Sequence, residues 1–329
     1  MPNRVPDTRT ATLKDIPLVK RLADQGIVLD SELGFTRAAD GPNSAVLSSI
    51  VLPQRSLCTL ITRTGDGHVV GQIRLKASEH LAQIVYIAPQ LEPTMHDTAW
   101  LHMLDAMAAE AGRRGAHILT GEVDEASALF QTMRTAGFAV YARQEIWRRA
   151  PGQGFGDSNG IELAEETDGD AMDIQLLYCN IVPRLVQHIA VPSSESAGLV
   201  YRQGDRIQGY VAVSEGKCGI YLVPYLHPDI LFREVSAILA GAIARANRAD
   251  KLPVYVCMRR YQDWLGEALI ELGFNRWADQ AVMVRHITAG IRQASFAPLA
   301  RTLEAIPSPI RPPTSQVTEP VIEINPHQE

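Results

Sequence analysis

Two stretches of this chain, PQLEP at 89–93 and PYLHP at 224–228, share the pattern Pro-x-Leu-x-Pro and lie 135 residues apart. Each follows an apolar run with strand character, and the likeness continues downstream. At the same offset Leu104 falls on Leu239, Ala109 on Ala244, Ala111 on Ala246 and Arg113 on Arg248. At an offset of 136, AGFAVYARQEIWRR (136–149) matches LGFNRWADQAVMVR (272–285). That alignment sets Gly137 with Gly273, Phe138 with Phe274, Ala142 with Ala278 and Gln144 with Gln280. A repeat this long means that one supersecondary plan is built twice.

Periodicity supplies the plan. TMHDTAWLHMLDAMAAEAGRR and DILFREVSAILAGAIARANR carry apolar residues at three- and four-residue intervals, the spacing of amphipathic helices. Short β-type runs follow, HILTGEV and PVYVCM, then a second helical stretch in each half. Gly137 and Gly273 are read as helix stops, because glycine tolerates the left-handed backbone needed there. Upstream, HVVGQIRLK (68–76) and RIQGYVAVS (206–214) follow the turn clusters TGDG and QGDR and read as hairpin strands, with Gly71 corresponding to Gly209. The order in each half is strand, helical segment, hairpin, strand, helix, strand, helix, strand.

With 329 residues the chain has room for two domains of ~150 residues each. The expected boundaries are an N-terminal domain at 1–149, a Gly-rich linker at 150–159, a second domain at 160–288 and a disordered Pro-rich tail at 289–329. A formal charge of −6 without a long basic run excludes nucleic acid as the expected partner. No apolar run reaches bilayer length, and MPNRVPDTRT has no apolar stretch behind a basic one, so neither a membrane span nor a secretory signal is expected. Cys58, Cys179, Cys218 and Cys257 are scattered, which argues against a zinc site or a disulfide framework and fits a cytoplasmic protein with reduced thiols. His96 and His102 stand six apart on different helix faces, and no metal site is expected.

The ordered set RTATLKDIPLVKRLA, GQIRLK, QIVYIAP, long helix and AGFAVYARQEIWRR resembles the GNAT N-acetyltransferase superfamily. The frame recurs in GYVAVS, GIYLVP and LGFNRWADQAVMV, and the resemblance covers roughly 9–149 and 160–288. It implies an α/β fold with two GNAT-like domains in tandem, each a mixed, mainly antiparallel sheet flanked by helices. It also implies acetyl-CoA or another acyl-CoA held between two splayed parallel strands, here QIVYIAP and HILTGEV, and acyl transfer to a small-molecule amine. Cofactor contacts would then fall on Ile87 and Ala88 in one half and on Val223 in the other.

Within that resemblance the phosphate-binding loop should stand where Pro-x-Leu-x-Pro stands. Neither copy contains Gly-x-Gly or Gly-x-Ala, and proline offers no backbone N–H to a phosphate. Glu92, Asp97 and Asp229 place carboxylates at the same spot, where they suit a helix start and repel a pyrophosphate. The prolines are expected instead to make a rigid strand exit, with Pro93 and Pro228 near the first helical turn. The tyrosine acid common in the family, four residues before Gly-Phe, is replaced by Met133 and Leu269.

The remaining candidates each have two readings. Glu122, Asp124 and Glu125 end the first cleft strand. A carboxylate there can serve as base for an amine, with Glu122 and Asp124 the catalytic candidates, or Asp124 or Ser127 can cap the next helix. Arg259 and Arg260, with Tyr261, take the corresponding place in the second half. They can grip a phosphate or carboxylate of a cofactor, or flank a helix start in solvent. Tyr86 and Tyr255 sit in strands lining the clefts, and the four tryptophans are expected in cores or at an interface. Two functions stay open. One is an acyl-CoA-dependent N-acyltransferase. The other is a catalytically degenerate tandem that binds a small molecule or a protein partner, as a monomer or as a homodimer through an exposed terminal strand.

Overall fold

The computed structural model describes residues 7–37, 56–64, 67–76, 80–153, 160–189, 197–246 and 248–287, all within the compact unit Met1–Ala289. The tail expected at 289–329 and linker residues 154–159 lie outside them. The first half runs β1 (Asp7–Thr10), α1 (Ile16–Ala23), β2 (Ile27–Val28), α2 (Ser31–Arg37), β3 (Leu57–Thr64), β4 (Gly67–Lys76), β5 (Leu81–Ala88), α3 (Thr98–Arg113), β6 (Ile118–Asp124), α4 (Ala128–Thr135) and β7 (Ala139–Arg149). The second runs β8 (Ala164–Glu165), α5 (Ala171–Ile181), α6 (Arg184–Gln187), β9 (Ala197–Gln203), β10 (Arg206–Glu215), β11 (Ile220–Leu226), α7 (Phe232–Arg245), β12 (Val254–Arg259), α8 (Gly266–Glu271) and β13 (Asn275–His286).

The halves do not keep separate sheets. Among the described residues the strands join one sheet in the order β1-β3-β4-β5-β6-β13-β7-β12-β11-β10-β9-β8, with β2 added on β5. The closing strands are exchanged: β13 lies against β6 of the first half, β7 against β12 of the second, and β7 and β13 pair with each other. Among the described strands only β5–β6 and β11–β12 are parallel. Their neighbours are antiparallel, so the sheet is mixed and mainly antiparallel.

One sheet face carries α3 and α4 over the first half and α7 and α8 over the second. Met103, Leu104 and Met107 of α3 pack fully buried against Ile73, Ile84 and Ile87. Each such side chain contributes roughly 1.5–3 kcal/mol. The second core repeats the arrangement with Val235, Ile238 and Leu239 on Leu222, Val256 and Met258. The other face carries α1 over Val70, Val85 and Tyr86, and α5 and α6 over Tyr210, Tyr225 and Val282. On that face α2 crosses from the first half to the second: Phe35 stacks on Tyr255 with centroids 4.5 Å apart, and Ser214 Oγ donates to Glu32 Oε1 at 2.7 Å.

The helix stops are where the glycines predict them. Gly137 and Gly273 have φ of 83° and 79°, and the residue after each donates back into the helix, Phe138 N to Met133 O and Phe274 N to Leu269 O. The repeated prolines differ from expectation. Pro93 and Pro228 precede the helices by several residues and occupy the second position of matching turns, closed by Met95 N to Glu92 O (2.9 Å) and Ile230 N to His227 O (3.1 Å). Proline favours that position because its fixed φ suits it. Trp277 also departs from expectation: it is 56% exposed, with the Arg148 guanidinium 4.6 Å over its ring.

Candidate functional site

In each half two parallel strands start paired and then part. β5 and β6 pair at Leu81–Ile118, Ala82–Leu119 and Gln83–Thr120 and no further. β5 bends there because Val85 is an extra residue between the pairs Gln72–Tyr86 and Ile73–Ile84, a β-bulge facing β4. β11 and β12 likewise pair only at Ile220–Val254, Tyr221–Tyr255 and Leu222–Val256. Each parting leaves unpaired backbone groups on facing edges, a place where an extended ligand can lie.

In the first half the chain fills this place itself. Ile27 and Val28 pair with Ile87 and Tyr86. Leu29 N then donates to Val85 O, and Glu122 N donates to Leu29 O, each at 2.9 Å. Leu29 therefore bridges both strands as a short third strand, with its side chain fully buried among the α3 and α4 core. Asp30 follows, buried, receiving Arg74 Nη2 at 2.6 Å and Leu33 N at 3.1 Å. Burial pushes its carboxyl up to about 6 against the pull of Arg74.

In the second half a side chain takes up one edge of the gap, that of β11. The turn after β12 carries Gln262 out of helical geometry (φ −124°, ψ 31°). With its amide oriented to satisfy both groups, Gln262 donates to Pro224 O and accepts from Leu226 N, each at 3.1 Å. Pro224 contributes no donor on that edge. The segment that follows α5 forms the short helix α6 on the sheet face and does not enter the gap: Val182 and Val186 pack beside Tyr225 and Val282.

The candidate residues divide between these gaps and the sheet centre. Ile87 and Ala88 are fully buried, with strand partners on both β4 and, for Ile87, β2. Val223 is half-buried on β11, paired with Ala212. Met133 and Leu269 are core residues. Asp124 Oδ1 accepts from Ala126 N at 2.8 Å, and Ser127 Oγ accepts from Leu129 N at 3.2 Å to cap α4. Arg260 is exposed at the start of the turn that holds Gln262.

Glu122 and Arg259 come together at the centre, on the face below α2 and α6. In register order Arg259 lies opposite Gln144, Gln144 opposite Gln280, and Gln280 opposite Asp124, one row across four strands. Gln144 Nε2 and Ser31 Oγ both donate to Gln280 Oε1 at 2.8 Å. Glu122 Oε2 accepts from Ser31 N at 3.0 Å, and its Oε1 lies 3.6 Å from Arg259 Nη2. Arg259 is otherwise without acceptors: Nε and Nη1 are buried and have no hydrogen-bond partner among the described residues, and neither has Tyr261 Oη. Burial works against the guanidinium charge, but the surrounding acidic groups, the Glu122 carboxylate among them, together outweigh it and Arg259 stays protonated. Burial pushes the Tyr261 hydroxyl up to about 12, so it remains a neutral donor. Among the described residues no three His, Cys, Asp or Glu side chains gather as a metal site, and no helix is long and apolar enough to cross a membrane.

The sequence reading singled out Glu122, Arg259 and the Gln144–Gln280 correspondence but missed Leu29, Gln262 and Ser31. Nothing in GIVLD or in RRYQ marks a residue that completes a distant strand edge. A scan against models of known protein families gives no match, and neither does a search of curated protein sequences. Solved structures do match. Over 86% of this chain and 96% of the other, it aligns with a GCN5-related N-acetyltransferase from Sphaerobacter thermophilus at TM-score 0.53 and 11% identity. Over 86% of this chain and 99% of the other, it aligns with a tandem GNAT protein from the clavulanic acid biosynthesis pathway, solved without acetyl-CoA, at TM-score 0.52 and 13% identity. At such identities the likeness is one of architecture, and the chain has a GNAT-like fold.

Proposed function

We propose that this protein is a small-molecule-binding module built from two GNAT-like domains, residues 1–149 and 160–288, in which acyl-CoA chemistry has been given up. One observation carries the reading: the chain's own groups already occupy both gaps between parting strands, Leu29 bridging the two strands of one and Gln262 taking up the β11 edge of the other. An acyl-CoA lying in either gap would have to displace hydrogen bonds already made, and neither following loop has the glycines that let a backbone approach a pyrophosphate. Met133 and Leu269, buried where the resemblance implies a tyrosine acid, support the same conclusion. The four free thiols fit a reducing, cytoplasmic setting.

Titrating acetyl-CoA into the full chain by calorimetry tests this. No saturable heat up to millimolar ligand is expected. Micromolar binding would return the protein to the acyltransferases. The asymmetry of the closures favours the second half for that alternative, because a side chain can swing away at less cost than a bridging backbone strand.

A further inference from the structure

We infer that Arg259 holds the carboxylate of a small, largely apolar organic acid at the centre of the sheet, between Gln144 and Tyr261. The inference rests on the binding-module reading above and supplies the ligand class.

A guanidinium whose side chain is 8% exposed has left water, and such a charge needs close acceptors. Its acidic neighbour among the described residues, Glu122, reaches only Nη2, as an ion pair at 3.6 Å and beyond hydrogen-bond distance, and its other oxygen takes Ser31 N. Nε, Nη1 and the Tyr261 hydroxyl are three buried donors without acceptors among the described residues, two residues apart in sequence. A carboxylate offers four lone-pair sites and satisfies such a set. Gln144, directly opposite Arg259, has a buried Oε1 without a donor, which suits a ligand that also carries one N–H or O–H.

Charge and surroundings narrow the class. The Glu122 carboxylate close by repels added negative charge, which disfavours a dianionic phosphate relative to a monoanion. Val223, Tyr225, Tyr261 and Val282 belong to one apolar cluster on this face, and they provide contact for a short hydrocarbon part. The site is also specific to one half: the repeat offset of 135 places Asp124 where the second half has Arg259, and Asp124 serves a turn instead.

The test is thermal unfolding of the full chain in sodium butyrate at constant ionic strength, with chloride and inorganic phosphate as comparison anions. A saturable rise in Tm with butyrate, absent with chloride and phosphate and lost in Arg259→Gln, is expected. Tyr261→Phe, which keeps the ring, should weaken butyrate about tenfold, the worth of one hydrogen bond to a charged group. No saturable shift, or equal shifts in wild type and Tyr261→Phe, overturns the site, and the second comparison holds even if Arg259→Gln does not fold. Acetyl-CoA titrated in parallel separates the two readings. Its binding would end the binding-module reading and leave the Arg259 site standing, whereas silence from butyrate alone would end only the site.

Discussion

Gln144 and Gln280, related by the sequence repeat, face each other across β7 and β13, and Gln144 Nε2 donates to Gln280 Oε1 at 2.8 Å. The two residues thus meet at the middle of the sheet, where β7 and β13 pair, and Ser31 Oγ from α2 joins the same acceptor. Removing that acceptor leaves two donors behind. Gln280→Ala should lower stability by about 1–3 kcal/mol in urea unfolding, the cost of stranding buried polar groups. Gln144→Ala removes one donor, so the double variant should lose less than the sum of the two singles. Additive losses would show that the pair does not act as a unit.

Leu29 combines a backbone bridge between β5 and β6 with a fully buried side chain. Leu29→Ala deletes the side chain and keeps the bridge. Stability should fall by roughly 2–5 kcal/mol, as for other buried leucines. Acetyl-CoA should still not bind, since the backbone continues to occupy the gap. A variant that gains acetyl-CoA binding would show that the side chain, not the strand, closes it.

The legible part of this molecule was its local pattern. Apolar periodicity, the Gly-Phe stops and the shared offsets located both long helices and both closing strands, because those features are local. The exchange of β7 and β13 was not legible: both closing strands carry the same pattern, and swapping two similar strands leaves every residue on the same kind of face. GIVLD was equally silent, since a short apolar run reads alike as strand or helix edge. Of the site, Glu122 and Arg259 were visible as charges at strand ends. Their meeting depends on the two halves joining into one sheet, with only β13 and β7 between β6 and β12. The same tertiary reach hid Gln262, whose role is defined by Pro224 and Leu226.

Gln262→Ala should free Pro224 O and Leu226 N, and stability should drop by about 1–3 kcal/mol. The variant also tests the alternative function directly. If the second gap retains any affinity for acetyl-CoA, binding should appear in Gln262→Ala and not in wild type. Calorimetry on the two proteins decides, and two silent titrations strengthen the binding-module reading.

Gly241 lies inside α7, where glycine is a poor helix former and alanine would ordinarily add about 1 kcal/mol. The packing reverses that sign. A Cβ at Gly241 would stand 2.1 Å from the carbonyl oxygen of Ile161, whose segment runs against the helix and donates from Ile161 N to Ala237 O. Backbone cannot swing aside as a side chain can, so the helix or the segment must move. Gly241→Ala should destabilise by about 1–3 kcal/mol in chemical denaturation. A more stable variant would mean that the 160–163 segment is only loosely seated.

Asp30 sits just after the bridging strand, and burial raises its carboxyl to about 6, above the roughly 4 expected of an unfolded chain. The sign of the pH dependence follows. Between those values the folded protein holds a proton that the unfolded chain has released. The stabilisation from this group is therefore complete below pH ~4 and is lost as pH rises through about 6. Asp30→Asn has no such titration, and the other acids cancel in the comparison. From pH 4 to pH 7 wild type should lose up to about 3 kcal/mol relative to Asp30→Asn in urea unfolding. A difference that stays flat, or that favours wild type as pH rises, would mean that Arg74 at 2.6 Å outweighs burial and holds the carboxylate charged.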